Sequence, residues 1–103
     1  MNHNGDLELA KQLVMEAKRC GADCVKFQTH IFDSESLSDA PSPKYFSTEN
    51  RGDYFKRTAF DFDQWKKLRE ECENHSVKFL SSPFSTDAVD LLEKLNVFAY
   101  KIP

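Results

Sequence analysis

The 103-residue sequence is poor in cysteine, glycine and proline, with three, three and four of them, and it has no excess of basic residues. Its 14 lysines and arginines stand against 17 acidic residues, a formal net charge of −3 that leaves no basic stripe for nucleic-acid phosphates. Apolar runs are far shorter than the roughly 20 residues that cross a bilayer, and the amino-terminal residues show no basic segment followed by an apolar one. We therefore expect a soluble cytoplasmic protein with no nucleic-acid or membrane partner.

The cysteines, Cys20, Cys24 and Cys72, form an odd set with no CxxC pair. No histidine stands at zinc-finger spacing from them, so the sequence supports neither a disulfide framework nor a structural zinc site. We expect three buried or half-buried free thiols without a catalytic role.

Apolar residues recur every three or four positions in three segments, which predicts three amphipathic helices. The helices are expected over 6–20, 61–76 and 85–96, with Asp61 or Asp63 capping the second, Ser85 capping the third and Gly21 ending the first. Their apolar faces should carry Leu9, Ala10, Leu13, Val14, Ala17, Trp65, Leu68, Cys72, Ala88, Val89, Leu92 and Leu95.

Three short segments rich in β-branched and aromatic residues predict strands over 24–29, 77–82 and 97–102. The segment 30–60 has no clean period and is expected to be a long excursion with a short helix near 53–58. A loop of this length in a compact domain is usually functional or disordered, and its aromatic residues argue against full disorder.

Strands separated by helices cannot be hairpin partners, so we expect parallel strands joined by right-handed crossovers. Two α/β architectures fit, an open doubly wound sheet and an arc of a (β/α)8 TIM barrel. No GxGxxG sequence follows any predicted strand, which disfavours a dinucleotide-binding open sheet. The partial barrel is therefore the preferred fold.

Polar side chains lie towards the carboxyl end of each predicted strand: Lys26 and Gln28 in the first, Ser81 and Ser82 in the second, Lys101 in the third. In a parallel α/β fold these ends share one rim, where substrates bind. Two ammonium groups beside an amide and hydroxyls suit a small ligand with phosphate and carboxylate groups. Alternatively, the lysines extend to surface carboxylates, or one is desolvated and forms a Schiff base.

The three histidines differ in expected position. His75 falls at a helix terminus and needs no chemical role. His30 lies just past a strand end and is a possible rim contact. Asn2, His3 and Asn4 precede a helix, so they form a βα loop on the same rim and imply a strand upstream of the chain. We therefore expect a fragment with a missing first strand, unpaired sheet edges and an incompletely covered core.

Four motifs in order, NHNGD, GADCVKFQTH, FLSSPFS and FAYKIP, resemble the amino-terminal part of the sialic acid synthase family. The resemblance covers essentially the whole chain. It implies a (β/α)8 barrel followed by a small antifreeze-like domain that reaches over the partner's active site in a homodimer. It also implies condensation of phosphoenolpyruvate with an N-acylated amino sugar, N-acetylmannosamine or its 6-phosphate, with a divalent metal (Mn or Mg) and release of phosphate.

The resemblance also implies roles for single residues. Lys26 and Gln28 match the polar pair of the family's VKxQT strand, and Lys101 matches the lysine of its YKI motif. Ser82 stands where threonine is more usual in STPF and keeps the hydroxyl, whereas Pro103 stands where a small residue is often found. The expected substrate-binding residues are Lys26, Gln28, Ser82 and Lys101. Both lysines are expected to be electrostatic anchors for phosphate and carboxylate rather than residues that form a Schiff base.

Other family features would lie outside the chain, including an acidic residue before NHNG and the metal-binding histidines of later strands. Residues 1–103 are thus expected to be a fragment of the catalytic barrel with a partial phosphoenolpyruvate subsite, no metal site and no activity alone. Two alternatives stay open. One is another phosphoenolpyruvate aldol synthase, such as those making keto-deoxy-octulosonate phosphate or the first shikimate-pathway intermediate. The other is a noncatalytic truncated chain.

Overall fold

The computed structural model describes residues 1–37, 39–41, 43–45 and 49–103. Within these ranges its elements are α1 (Leu7–Arg19), β1 (Cys24–Thr29), α2 (Phe32–Glu35), α3 (Arg51–Thr58), α4 (Phe62–Asn74), β2 (Lys78–Pro83) and α5 (Thr86–Lys94). β1 and β2 pair in parallel, as predicted. None of the described helices is long and apolar enough to cross a membrane.

Side-chain caps fix where the three long helices begin. Asp6, Asp61 and Ser85 each accept a hydrogen bond from the backbone N–H three residues further along. Asp61 rather than Asp63 caps α4, because Gln64 returns a bond to the Asp61 backbone N–H and completes a capping box. The predicted starts of α4 and α5 are therefore confirmed.

The core lies between the sheet and the helices packed on it, with Trp65 of α4 near its centre. The Trp65 ring meets Phe60, Phe27 and Phe79 edge-on, at centroid distances of 5.1, 5.9 and 5.9 Å. Burying an aromatic side chain contributes roughly 1.5–3 kcal/mol, so this cluster fixes α4 against one face of the sheet. The buried core cluster contains Ala10, Val14, Phe60, Trp65, Leu68, Cys72, Phe79, Leu92 and Leu95.

The prediction of a full third strand over 97–102 is wrong. Tyr100 forms only an isolated parallel bridge with Ser81, supported by a hydrogen bond of 3.1 Å from the Lys101 N–H to the Ser81 carbonyl. Phe98 and Ile102 are 62% and 77% exposed. β-branched and aromatic residues favour a strand only where they pack on neighbouring side chains, and these two remain largely exposed.

The excursion holds more helix than expected. α3 confirms the predicted short helix but begins two residues earlier, because Asn50 caps it by accepting from the Asp53 N–H. The four-residue α2 was not predicted, since Phe32–Glu35 is too short to show a helical period. Residues 38, 42 and 46–48 of the excursion lie outside the described residues.

Four predictions of burial are wrong. Leu13 of α1 and Val89 of α5 are 39% and 36% exposed, although both lie on the predicted apolar faces. Cys20 and Cys24 are exposed, whereas Cys72 is buried as expected. Within the described ranges β1 pairs only with β2, so the groove beside its other edge leaves Leu13 uncovered.

This parallel α/β arrangement agrees with part of a barrel, but two strands do not form one.

Candidate functional site

The register of the sheet places three of the predicted site residues on one face. Lys26 pairs with Leu80, and Gln28 pairs with Ser82. Since side chains alternate along a strand, Lys26, Gln28 and Ser82 all point to the same side, away from the Trp65 cluster. Lys26 and Gln28 are exposed there, whereas Ser82 is 2% exposed. This face offers an ammonium group, an amide and a hydroxyl within one pair of strands.

Lys101 approaches the same end of the sheet from the chain that follows α5. Its backbone N–H donates to the Ser81 carbonyl, which places it beside the carboxyl half of β2. Tyr100 packs against the core cluster and its hydroxyl donates to Glu93. Alternation along extended chain then directs Lys101, which is exposed, to the side of Gln28 and Ser82.

Ser81 faces the opposite side and belongs to the structural core. Its hydroxyl oxygen lies 2.7 Å from that of Thr29, and both side chains are fully buried. Of the two serines in FLSSPFS, the sheet register therefore leaves Ser82 as the one that faces the candidate site.

The His30 side chain contacts the Gln28 side chain. Its Nε2 atom is 3.3 Å from the Gln28 Oε1 atom, and its Nδ1 atom is 2.8 Å from a carboxylate oxygen of Glu35. The imidazole is stacked between Phe55 and Phe84, at centroid distances of 4.3 and 4.0 Å. His30 thus contacts the site through Gln28, and its predicted contact with a ligand remains a prediction.

The NHNGD loop places His3 and Asn2 beside β1. His3 is 4% exposed, stacks on Phe60 at 4.3 Å and accepts a hydrogen bond of 3.0 Å from the Gly5 N–H at Nδ1. Burial, and then the charge of the amino terminus, lower the pKa of His3. The ring is therefore a neutral imidazole with its proton on Nε2, an atom that is buried without a hydrogen-bond partner among the described residues.

Two cavities meet at Gln28. One, of about 410 Å³, lies between α1 and β1 and includes Asn2, His3 and Lys26 in its lining. The other, of about 480 Å³, is lined by Met1, Gln28, Tyr45, Glu49, Tyr54, Phe55 and Arg57. Most of the second lining comes from the excursion, whose length is typical of a functional loop but whose residues show no period that would single out individual site residues. Gln28 is thus a predicted site residue that lines both cavities.

Arg57 and Glu49 are the charged groups of the second cavity. The Arg57 guanidinium donates to Glu49 and, at 2.7 Å, to Asn4 Oδ1. The hydrogen bond between Arg57 and Glu49 lowers the pKa of Glu49 and raises that of Arg57. The pair links α3 to the NHNGD loop and forms one wall of the cavity.

The described residues do not form a metal site. No group of three or more histidine, cysteine, aspartate or glutamate side chains gathers closely enough within these ranges to hold a metal ion. The histidines are engaged separately, His3 by Gly5, His30 by Glu35 and His75 by Glu71.

Comparison with known proteins decides the family. The model of the NeuB family matches residues 13–103. The chain belongs to the NeuB family. The family that the motifs predicted is thereby confirmed.

Relatives of this NeuB-family chain include synthases of several nonulosonic acids. It is 33% identical to human N-acetylneuraminate-9-phosphate synthase, over 98% of this chain and 29% of that protein. It is 36% identical to N,N'-diacetyllegionaminic acid synthase of Legionella pneumophila, over 100% of this chain and 30% of that protein. The chain thus spans about three tenths of the length of these relatives.

A solved structure agrees with this assignment. The N-acetylneuraminic acid synthetase of Leptospira borgpetersenii superposes with a TM-score of 0.75 at 26% identity, over 98% of this chain and 32% of that one. The parallel β1–β2 unit and its helices therefore have the arrangement found in a sialic acid synthetase.

Proposed function

We propose that this NeuB-family chain supplies part of the phosphoenolpyruvate site of a nonulosonate synthase. The observation that carries the proposal is the shared sheet face of Lys26, Gln28 and Ser82, with Lys101 arriving at the same end. A dianionic phosphate and a carboxylate need cations and hydrogen-bond donors; Lys26 and Lys101 would supply the cations, and Gln28 and Ser82 the donors.

The reaction proposed for the whole protein joins phosphoenolpyruvate to an N-acylated amino sugar. The C3 carbon of phosphoenolpyruvate forms a bond with the aldehyde carbon of the open-chain sugar, water adds at C2, and inorganic phosphate leaves. Lys26 and Lys101 stabilise the charge on the phosphate and carboxylate throughout. Gln28 and Ser82 orient the same groups by hydrogen bonds.

The acceptor sugar, metal and assembly are further parts of the proposal. The human and Legionella relatives are named for different products, so we propose the acceptor as the class that contains N-acetylmannosamine and its 6-phosphate. A divalent Mn or Mg ion would be held by residues outside this chain. The whole protein would act as a homodimer, and the 103-residue chain alone would form no product. Nonulosonate synthesis by the purified chain would contradict that last expectation.

Titration with phosphoenolpyruvate, measured by isothermal calorimetry, tests the anchor residues. We expect Lys26→Ala and Lys101→Ala each to weaken affinity about 10- to 100-fold, because a hydrogen bond to a charged group contributes roughly 1.5–3 kcal/mol. Lys78→Ala is the matched control, since Lys78 lies on the same sheet face at the amino end, in register with Cys24. The titration is made on the chain and on any longer polypeptide that the gene encodes.

The outcomes separate the proposal from its alternatives. Unchanged affinity in both lysine variants would reject the anchor assignment and leave the lysines as ordinary surface cations. Loss of affinity in Lys78→Ala as well would indicate a general charge effect. Borohydride trapping of a covalent adduct between Lys26 or Lys101 and the aldehyde of the open-chain sugar would favour Schiff-base chemistry.

A further inference from the structure

The His30 side chain is buried, and its ring is enclosed by neighbouring side chains. Its side chain is 4% exposed, and the rings of Phe55 and Phe84 cover both faces at interplanar angles of 29° and 19°. The phenyl rings block tilting of the imidazole, and they bring no charge to it. Only the two ring nitrogens, at the edge of the ring, are left to form polar contacts.

Each nitrogen has one protein partner. Nδ1 lies 2.8 Å from Glu35 Oε1, and Nε2 lies 3.3 Å from Gln28 Oε1. A carboxylate accepts from Nδ1–H, so the position of Glu35 fixes both the rotation of the ring and the proton on Nδ1. The Nε2 atom is thereby held in contact with the Gln28 side-chain amide.

Glu35 is itself buried and fixed. Its side chain is 5% exposed, and the Arg51 guanidinium lies 3.9 Å from the oxygen that contacts His30. Arg51 also lies over the Phe55 ring at 5.1 Å and donates to the Ser36 hydroxyl. A buried carboxylate is costly unless it is paired, so an ionised Glu35 depends on both His30 and Arg51. Its Oε2 atom accepts no hydrogen bond from the described residues.

We propose that His30, held by Glu35, is a positioning residue that sets which end of the Gln28 amide faces the ligand. The inference rests on the proposed function in that Gln28 faces phosphoenolpyruvate. With protons on both ring nitrogens, Nε2–H donates to Gln28 Oε1 and the amide NH₂ is turned outward. A phosphate or carboxylate group needs that donor.

The neutral ring would reverse this orientation. With the proton on Nδ1 alone, Nε2 becomes an acceptor, the Gln28 NH₂ turns to it and the amide oxygen faces the ligand. An amide oxygen has no proton to give an anion, so binding weakens. The charge on His30 thus controls a donor at the site without contact between His30 and the ligand.

The pair His75–Glu71 provides a control within the same chain. His75 Nε2 lies 3.0 Å from Glu71 Oε1, and the two side chains are 34% and 24% exposed. This imidazole–carboxylate pair is at the end of α4 and has no contact with Gln28 among those described. Glu71→Gln therefore alters the same chemistry without affecting the candidate site.

Nitrogen NMR of the ¹⁵N-labelled chain tests the proposal. In Glu35→Gln we expect the His30 ring nitrogens to shift towards the neutral form, the Gln28 side-chain NH₂ resonances to move, and phosphoenolpyruvate affinity to fall about fivefold. That factor corresponds to one hydrogen bond of ~1 kcal/mol. In Glu71→Gln only the His75 resonances should change. Should Glu35→Gln fail to fold, a pH series on the wild-type chain gives the same answer, because the Gln28 NH₂ resonances should change together with the His30 ring nitrogens and independently of those of His75.

The readouts distinguish this proposal from the proposed function. If the His30 ring changes charge while the Gln28 resonances stay in place, His30 is only structural and the positioning role is rejected. If Gln28 responds but phosphoenolpyruvate binds neither the wild type nor any variant, the positioning role stands and the assigned ligand is wrong.

Discussion

Thr29 and Ser81 form a buried hydroxyl pair that joins the carboxyl halves of β1 and β2, with 2.7 Å between their oxygen atoms. The pair is diagonal in the sheet, because Ser81 is the register partner of Phe27 and Thr29 is that of Pro83. It lies on the face opposite Gln28 and Ser82. The candidate site therefore rests on a sheet whose far side is held by a polar link within the core.

This pair can be measured by a double-mutant cycle. Thr29→Val and Ser81→Ala should each lower the free energy of unfolding by about 1–3 kcal/mol, because each leaves the other hydroxyl buried without a partner. The double variant should cost less than the sum of the two single ones. Urea unfolding of the four proteins gives the coupling energy, and strict additivity would show that the two hydroxyls do not interact.

Gly5 should be the least replaceable glycine of the NHNGD loop and α1 region. Its φ is +77°, and an added Cβ would lie 2.4 Å from the Arg57 carbonyl oxygen, which belongs to α3. Gly21 also has a positive φ, +93°, but nothing lies within 4 Å of its Cβ position. We expect Gly21→Ala to cost ~1 kcal/mol for the backbone alone and Gly5→Ala to cost about twice that or more. Equal costs in thermal unfolding would contradict the close approach of Gly5 to α3.

The local signals in the sequence predict most of the element boundaries. Asp61 and Ser85 cap helices as expected, and Gly21 directly follows Cys20, the C-cap of α1. β1 has its predicted bounds, Cys24–Thr29. These features depend on neighbouring residues, whose effect on the backbone can be judged without knowing the rest of the fold.

The features that depend on distant partners are the ones that the sequence does not predict. The segment around Phe98 has strand-forming residues, yet only the bridge of Tyr100 to Ser81 forms. Pairing His30 with Glu35 requires α2, an element too short to be seen in a pattern. Lys26, Gln28 and Ser82 were predicted at strand ends, but their shared face follows only from the register of the two strands.

His3 should make stability depend on pH. Burial lowers the pKa of His3 below the ordinary value of 6.5, with a smaller contribution from the charged amino terminus. Above pH 6.5 both folded and unfolded forms carry a neutral ring, and the full stability is present. As the pH falls below 6.5, the unfolded chain binds a proton before the folded one, so the free energy of unfolding decreases.

The variant His3→Asn isolates this effect. An asparagine at position 3 keeps an acceptor for the Gly5 N–H, two residues on, but cannot titrate. We expect a smaller loss of stability between pH 7.5 and pH 5.5 for His3→Asn than for the wild type, measured by urea unfolding. His75→Asn, at the half-exposed end of α4, serves as the control. An identical pH slope in wild type and His3→Asn would mean that His3 protonates equally in both states.

The three thiols should react in two classes. Burial raises the pKa of Cys72 to about 12, with smaller contributions from the nearby Cys24 and Glu71, whereas Cys20 and Cys24 are exposed. Since the thiolate is the nucleophile, iodoacetamide at pH 8 should modify Cys20 and Cys24 readily and leave Cys72 intact. Peptide mass spectrometry identifies the modified positions. In the variant that carries Cys20→Ser and Cys24→Ser, Cys72 should react only when denaturant unfolds the core around α4. Rapid modification of Cys72 in the native protein would show that α4 does not seal the core that supports the candidate site.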